Sequence, residues 1–344
     1  MRAIVYAASG DSSVLQLVER ELPEPGPGEV RVRIVVSGVN PTDWKARSAA
    51  RPGAPASFDP VSPNQDGSGV VDALGDGVTG LAVGDRVWVF LAAHERPSGT
   101  AQEYAVLPAE RIVPLPDAVS FDVGASLGVP AMTAHRALTV SEHGPSRLGP
   151  GALDGRTVLV AGGAGAVGHA AIQLARWSGA RVVTTVSSPE KAALATAAGA
   201  HHVVNYREGD TVAAIRAVAP DGVDIVVEVS PARNAALDAQ IIANHGTIAV
   251  YATDGGDVVE LDVRRHFALN VRYQFLLLYT VGAEALDAAA ADIRHALADG
   301  VLEVGADAGL PLTRFPLERT AEAHDAVEAG TVGKVLVDVA PNGD

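Results

Sequence analysis

A chain of 344 residues is too long for one small hydrophobic core and suits two domains, and its 48% hydrophobic content is that of an ordinary globular protein. The formal net charge of −15 argues against nucleic acid or an anionic membrane surface as partner, and no apolar run reaches the roughly 18 residues of a spanning helix. No cysteine is present, which excludes disulfides, thiolate zinc sites and cysteine nucleophiles; no secretory pattern opens the chain, so a cytoplasmic location is expected.

Residues 1–128 read as mostly β, with short strand-like runs at 3–6, 15–19, 30–36, 70–74, 86–90 and 101–106. Turn chemistry separates them: Pro23-Glu-Pro-Gly-Pro-Gly28, Gly75-Asp-Gly77 and Gly84-Asp85. Strands at this spacing predict a small barrel-like domain, and the Pro-, Gly- and Ser-rich stretch 51–65 predicts a surface loop. From about Ala131 the pattern changes to alternating strands and helices, with strands at 203–206, 224–229 and 247–251 extending a parallel sheet. Residues 141–155 form a polar loop rich in breakers, 273–279 reads as a last strand, 283–298 as a helix, and the chain ends in short elements including a strand at 334–339.

The centre of this second region is the run from Arg156. Residues 157–161 are aliphatic and β-branched, as in a strand buried on both faces; Gly163, Gly165 and Gly168 then spell G-x-G-x-x-G, a helix follows, and 181–186 closes a βαβ unit. In a dinucleotide site one such glycine permits a tight turn, one lets the backbone approach a pyrophosphate, and one lets helix pack on strand. The first helical N–H groups, at Ala166 and Val167, would face the phosphates. An NAD site places an Asp or Glu after the second strand to hold the ribose 2′-hydroxyl. Here Ser187, Ser188 and Lys191 occupy that stretch, and hydroxyls with an ammonium suit a 2′-phosphate, so NADPH is the expected cofactor. Ser188-Pro189-Glu190 also reads as a helix start with serine as N-cap.

Taken together the motifs resemble the zinc-free quinone oxidoreductase branch, zeta-crystallin-like, of the medium-chain dehydrogenase/reductase superfamily. The resemblance rests on Gly38-Val-Asn-Pro-Thr-Asp43, Asp66-Gly-Ser-Gly-Val-Val71, Gly84-Asp-Arg-Val87, Gly128-Val-Pro-Ala-Met-Thr-Ala-His-Arg-Ala-Leu138, the glycine loop, Val204-Asn-Tyr-Arg-Glu208, and Ala321-Glu-Ala-His324 with Gly333-Lys334. It implies an α/β protein in which a GroES-like mostly-β domain (1–130 and 274–344) joins a Rossmann doubly wound parallel-sheet domain (131–273). It also implies a homodimer joined through the last Rossmann strands, a role for which 273–279 is apolar enough, although a buried internal strand explains that run equally well. Zinc members carry Gly-His-Glu where this chain has Asn64-Gln65-Asp66, so no metal is expected.

By the same resemblance Asn40 reaches the cofactor or substrate, Thr133 stands near the nicotinamide ribose, Tyr206 beside the adenine and 2′-phosphate, Tyr251 by the nicotinamide, and Lys334 near the cofactor cleft. Four of these have a plainer reading: Asn40 as a helix N-cap, Thr133 and Tyr206 as packing, Lys334 as an exposed lysine beside a strand. The family's tyrosine near the substrate is absent, because Trp44 and Lys45 stand where a threonine and that tyrosine are expected. Lys45 is a catalytic candidate for orienting or protonating a carbonyl oxygen, its plainer reading being a solvated helix edge. The expected activity is hydride transfer from NADPH to a quinone or similar conjugated carbonyl compound. The alternatives are an NADPH-dependent enoyl or 2-alkenal reductase and, of another class, an NADPH-binding crystallin-like or RNA-binding protein with little turnover.

Overall fold

The computed structural model describes residues 1–48 and 53–340, so Ala49 and residues 51 and 52 of the expected loop lie outside the described residues. The chain divides into two compact units, residues 1–129 with 311–344, and residues 130–310. The first contains β1 (Arg2–Val5), β2 (Gln16–Glu19), β3 (Glu29–Val39), α1 (Pro41–Ser48), β4 (Asp66–Leu74), β5 (Arg86–Val89), β6 (Tyr104–Pro108), β7 (Ile112–Pro114) and the short α2 (Phe121–Gly124). Helix α3 (Gly128–Leu138) carries the chain into the second unit, with β8 (Thr157–Ala161), α4 (Ala166–Trp177), β9 (Arg181–Val186), α5 (Pro189–Ala197), β10 (His202–Asn205), α6 (Thr211–Val218), β11 (Val223–Glu228), α7 (Pro231–Ile241), β12 (Ile242–Val250), α8 (Val263–Ala268), β13 (Arg272–Phe275) and α9 (Ala283–Ala298). The first unit is completed by β14 (Leu312–Pro316), α10 (Thr320–Glu328) and β15 (Lys334–Asp338).

In the second unit the strands run in the order β10-β9-β8-β11-β12-β13, all parallel, which is the doubly wound arrangement with helices between strands. Leu159, Val183, Val226 and Ile248 from its central strands form one core with Ile215 of α6 and Ile241 of α7. Strands buried on both faces need apolar side chains in both directions, which is why β8 reads as a continuous Val-Leu-Val run. In the first unit β14-β15-β3-β4-β5-β7 form one sheet, with β6 on β3, around Val30, Val32, Ile34, Val87, Val89, Leu107, Val335 and Val337; β1 and β2 form a separate pair. Strand β3 runs on to Val39 because Gly38 has no side chain to meet the Ala125 carbonyl oxygen, which lies 2.0 Å from where a Cβ would stand.

The expected return to the first domain at 274 is corrected: residues 274–310 belong to the second unit, and the return falls at 311. Asp292 of α9 explains the difference. It takes hydrogen bonds from the Leu148 N–H (2.7 Å) and Arg147 (2.9 Å) and pairs with His135 (2.8 Å), and α9 buries Ile293 and Leu297. The run 273–279 is likewise not a buried internal strand. Its strand covers Arg272–Phe275 at the free edge of the sheet and Phe275 is 61% exposed; a short 3₁₀ turn, Leu278–Thr280, follows. Among the described residues no helix is long and apolar enough to cross a membrane.

His169, on the second turn of α4, is buried with a ring nitrogen 2.8 Å from the Ala308 carbonyl oxygen, and burial pushes its pKa down to about 4. A depressed folded-state pKa means the unfolded chain binds the proton first. This residue's stability contribution is therefore intact above about 6.5 and declines at about 1.4 kcal/mol per pH unit as pH falls toward 4. The raised carboxyls of Asp43 and Asp66 slope the other way, so the comparison with His169→Gln isolates the residue. Urea unfolding should show wild type losing ground to the variant steadily between pH 6.5 and 4.5; parallel profiles would contradict it.

Candidate active site

The carboxyl edge of the parallel sheet in the second unit is built by the loop after β8. Gly162 takes φ +73°, the left-handed conformation that suits glycine, and makes the tight turn. The turn is thus made by the glycine that precedes the Gly163, Gly165, Gly168 motif. Gly163 is instead the close-packing position, where a Cβ would lie 2.1 Å from Thr184 Oγ1; Gly168 lies under the Gly162 carbonyl oxygen, which a Cβ would meet at 2.4 Å. Gly165 is the N-cap of α4 and offers no side chain to its first turn, and a Cβ there would meet nothing nearer than 3.5 Å. The leading N–H groups of α4, Ala166 and Val167 among them, therefore have neither an intrahelical partner nor a side-chain cap, a donor set suited to a phosphate.

The same edge carries Ser187 directly after β9, Tyr206 after β10 and Tyr251 after β12. Ser188 does cap α5, accepting the Lys191 N–H at 3.3 Å, and it also hydrogen-bonds the Glu190 carboxylate, which lowers that group's pKa. Its hydroxyl is already engaged by the helix start, while Ser187 and Lys191 stand beside it. Tyr206 is 51% exposed, so packing does not account for it. Tyr251 is largely surrounded by protein, and burial with the field of Glu228 raises its pKa. Thr133 is buried on α3.

In the first unit Asn40 and Lys334 come together. Lys334, expected as exposed on the plainer reading, is 2% exposed, and its Nζ donates to Asn40 Oδ1 at 2.6 Å. Asn40 Nδ2 donates to Asp66 Oδ2 at 2.7 Å, and Lys334 Nζ stands 3.8 Å from the same oxygen. Asp66 also accepts the Val129 N–H at 2.9 Å near the start of α3; Gly128 lacks a side chain because a Cβ would lie 2.1 Å from Asp66 Oδ1. A second carboxylate, Asp43, accepts N–H groups of Asn40 (2.7 Å) and Gln65 (3.1 Å). Asn40 therefore does not cap α1 with its side chain; Asp43 reaches back to the Asn40 N–H instead, and the amide is clamped between an ammonium and a carboxylate. Burial, then the nearby Asp66, pushes Asp43 up to about 8; burial also raises Asp66 and lowers Lys334. Neither carboxylate stood among the sequence candidates. Lys45 is brought into none of this: it is exposed, its Nζ 5.8 Å from the centre of the Trp44 ring.

Residues 26–117 match the model of the alcohol dehydrogenase GroES-like domain, and residues 166–299 that of the zinc-binding dehydrogenases. The quinone oxidoreductase of Rattus norvegicus is 31% identical over 345 residues, covering 98% of this chain and 97% of that protein. The chain belongs to the quinone oxidoreductase family of the medium-chain dehydrogenase/reductase superfamily. Among solved structures, a mycobacterial protein complexed with NADPH is similar at 31% identity and TM-score 0.80, over 98% of this chain and 99% of that one. An NAD-dependent alcohol dehydrogenase is similar at 29% identity and TM-score 0.83, over 99% and 100%. The family is one of oxidoreductases, and both expected folds, the GroES-like domain and the Rossmann parallel sheet, are present in this member.

In this quinone oxidoreductase relative the spot of the zinc enzymes' Gly-His-Glu has its own structural use. Asn64 takes φ +76°, which asparagine tolerates, and binds Ser37 Oγ (2.9 Å) and His324 Nε2 (2.9 Å). Gln65 accepts the Ala93 N–H at 3.1 Å. Among the described residues no group of three or more His, Asp or Glu side chains is placed to hold a metal ion.

Proposed function

We propose that the protein is an NADPH-dependent oxidoreductase that transfers hydride to a quinone or similar conjugated carbonyl acceptor without zinc. The observation that carries this reading is the sheet edge of the second unit: an uncapped helix N-terminus behind Gly165, and Ser187 with Lys191 where an NADH site would carry a carboxylate. The names of the rat relative and of the NADPH-complexed mycobacterial structure support it. Bound NADPH would supply the hydride. The chain's own residues would do the rest. Ala166 and Val167 N–H groups would hold the pyrophosphate, Ser187 and Lys191 the 2′-phosphate, Tyr206 the adenine and Tyr251 the nicotinamide side; Thr133 would stand by the nicotinamide ribose, and Lys334 would fix the Asn40 amide. A quinone's reduced oxygens take protons from water, so this chemistry asks for no metal and no dedicated acid.

A second reading, reduction of a conjugated carbon–carbon double bond, draws on Asp43. That chemistry needs a proton delivered to carbon, and a carboxyl held up to about 8 still carries its proton at neutral pH. Steady-state NADPH oxidation against a panel of quinones and enones, with product analysis, decides between them: hydroquinone in the first case, saturated carbonyl in the second. No oxidation with any acceptor would overturn both. We also propose a cytoplasmic homodimer paired along the free edge of β13, where Phe267, Phe275 and Leu277 are exposed; sedimentation should show a dimer.

A further inference from the structure

The first unit has a cavity of about 670 Å³, open on one side and the size of a small-molecule site, whose lining includes Tyr6, Asp43, Ala46, Phe58, Gln65 and His94. Tyr6 follows β1 and is fixed by two backbone bonds of 2.9 Å with Val61. The residue is 9% exposed, and its hydroxyl, which hydrogen-bonds no described residue, is not among the buried polar atoms but remains open. A phenol hydroxyl that faces a cavity finds its partner in water or in a ligand. Its proton is held tightly, because burial and then the field of Asp43 raise its pKa against the opposing pull of Arg47, so at neutral pH it is a donor. On helix α1 the Asp43 carboxyl already accepts the Asn40 and Gln65 N–H groups, and Lys45 lies exposed over Trp44.

We propose that this cavity receives the conjugated carbonyl acceptor and that the Tyr6 hydroxyl donates a hydrogen bond to its carbonyl oxygen, while Phe58 and the neighbouring prolines offer flat apolar contact. The proposal rests on the reading of the protein as a reductase of such compounds. It makes Tyr6 a substrate-orienting donor whose bond strengthens as negative charge gathers on the oxygen during reduction, the proton that completes the product coming from water.

The test is calorimetric titration of the full-length protein, without nucleotide, using 1,4-naphthoquinone as the probe, alongside NADPH-oxidation kinetics and NADPH binding by fluorescence. Wild type should bind the quinone, Tyr6→Phe should bind it about three- to tenfold more weakly, and kcat should fall more than KM rises. Ala46→Phe, which fills the cavity from α1, should abolish quinone binding while NADPH binding stays as in wild type. Quinone binding unaltered in both variants, or absent in wild type, would overturn the inference. A wild type that binds the quinone in the cavity but oxidises no NADPH with any acceptor would support the cavity and overturn the functional reading.

Discussion

Replacing Lys334 with Met should cost the protein about 3–5 kcal/mol of folding stability, the cost typical of breaking a buried ion pair from one side. The reason is arithmetic of charge in a dry place. Asp43 and Asp66 are both buried, and Lys334 Nζ, buried with them, is the cation whose field opposes the rise in each carboxyl's pKa. Met fills most of the lysine stem's volume, so packing is nearly kept while the compensating charge is lost. Adding Asp66→Asn to Lys334→Met should recover part of the loss, because one buried charge is removed and an amide oxygen still meets the Val129 N–H. Urea unfolding of the three proteins measures this. A loss below about 1 kcal/mol in the single variant would mean that the cluster is neutral in the native state. The single variant should also release the Asn40 amide, whose oxygen Lys334 holds at 2.6 Å.

The second large effect concerns the nucleotide. Ser187→Asp should weaken NADPH binding roughly ten- to a hundredfold, since it exchanges a donor for a carboxylate facing a phosphate, and a hydrogen bond to a charged group is worth about 1.5–3 kcal/mol. NADH binding should hold or improve, because a carboxylate there accepts from the ribose 2′-hydroxyl. Lys191→Ala should weaken NADPH by about tenfold and leave NADH unaffected. Glu190 limits the effect from the other side, since its carboxylate, tied to Ser188, belongs to the same helix start. Nicotinamide fluorescence titrations with both nucleotides provide the check. Equal losses for NADPH and NADH would place the phosphate elsewhere.

How far the sequence could be read depended on whether a feature is local. Strands β8 and β9 were legible to the residue, because buried parallel strands carry runs of aliphatic and β-branched residues, Thr184 and Thr185 of β9 included. Helix α9 was equally legible from its length and Ala-rich pattern. β7 was missed: three residues ending in Pro114 carry no pattern. The early part of β4 was hidden by Asp66-Gly-Ser-Gly, whose glycines look like a turn; in fact Gly69 lets the strand approach the Arg33 carbonyl oxygen, 2.0 Å from where a Cβ would be. The placing of 274–310 failed because Asp292 declares its partners, His135 and Arg147, only in three dimensions.

The same division runs through the site. G-x-G-x-x-G marks the loop, but with Gly162 beside Gly163 the spelling cannot say which glycine turns; φ +73° at Gly162 says so. Asp43 and Asp66 are unremarkable in sequence, 23 positions apart, and only their shared burial around Asn40 and Lys334 makes them a coupled pair. Tyr6 gave no signal, since a single tyrosine after a short strand is ordinary until the cavity in front of it is seen.

A crystal structure determined with NADPH is the most direct measurement of all. The pyrophosphate should lie on the Ala166 and Val167 N–H groups at the head of α4, with the 2′-phosphate between Ser187 and Lys191. A nucleotide seated away from the Gly162–Gly168 turn, or none bound at saturating concentration, would contradict the account.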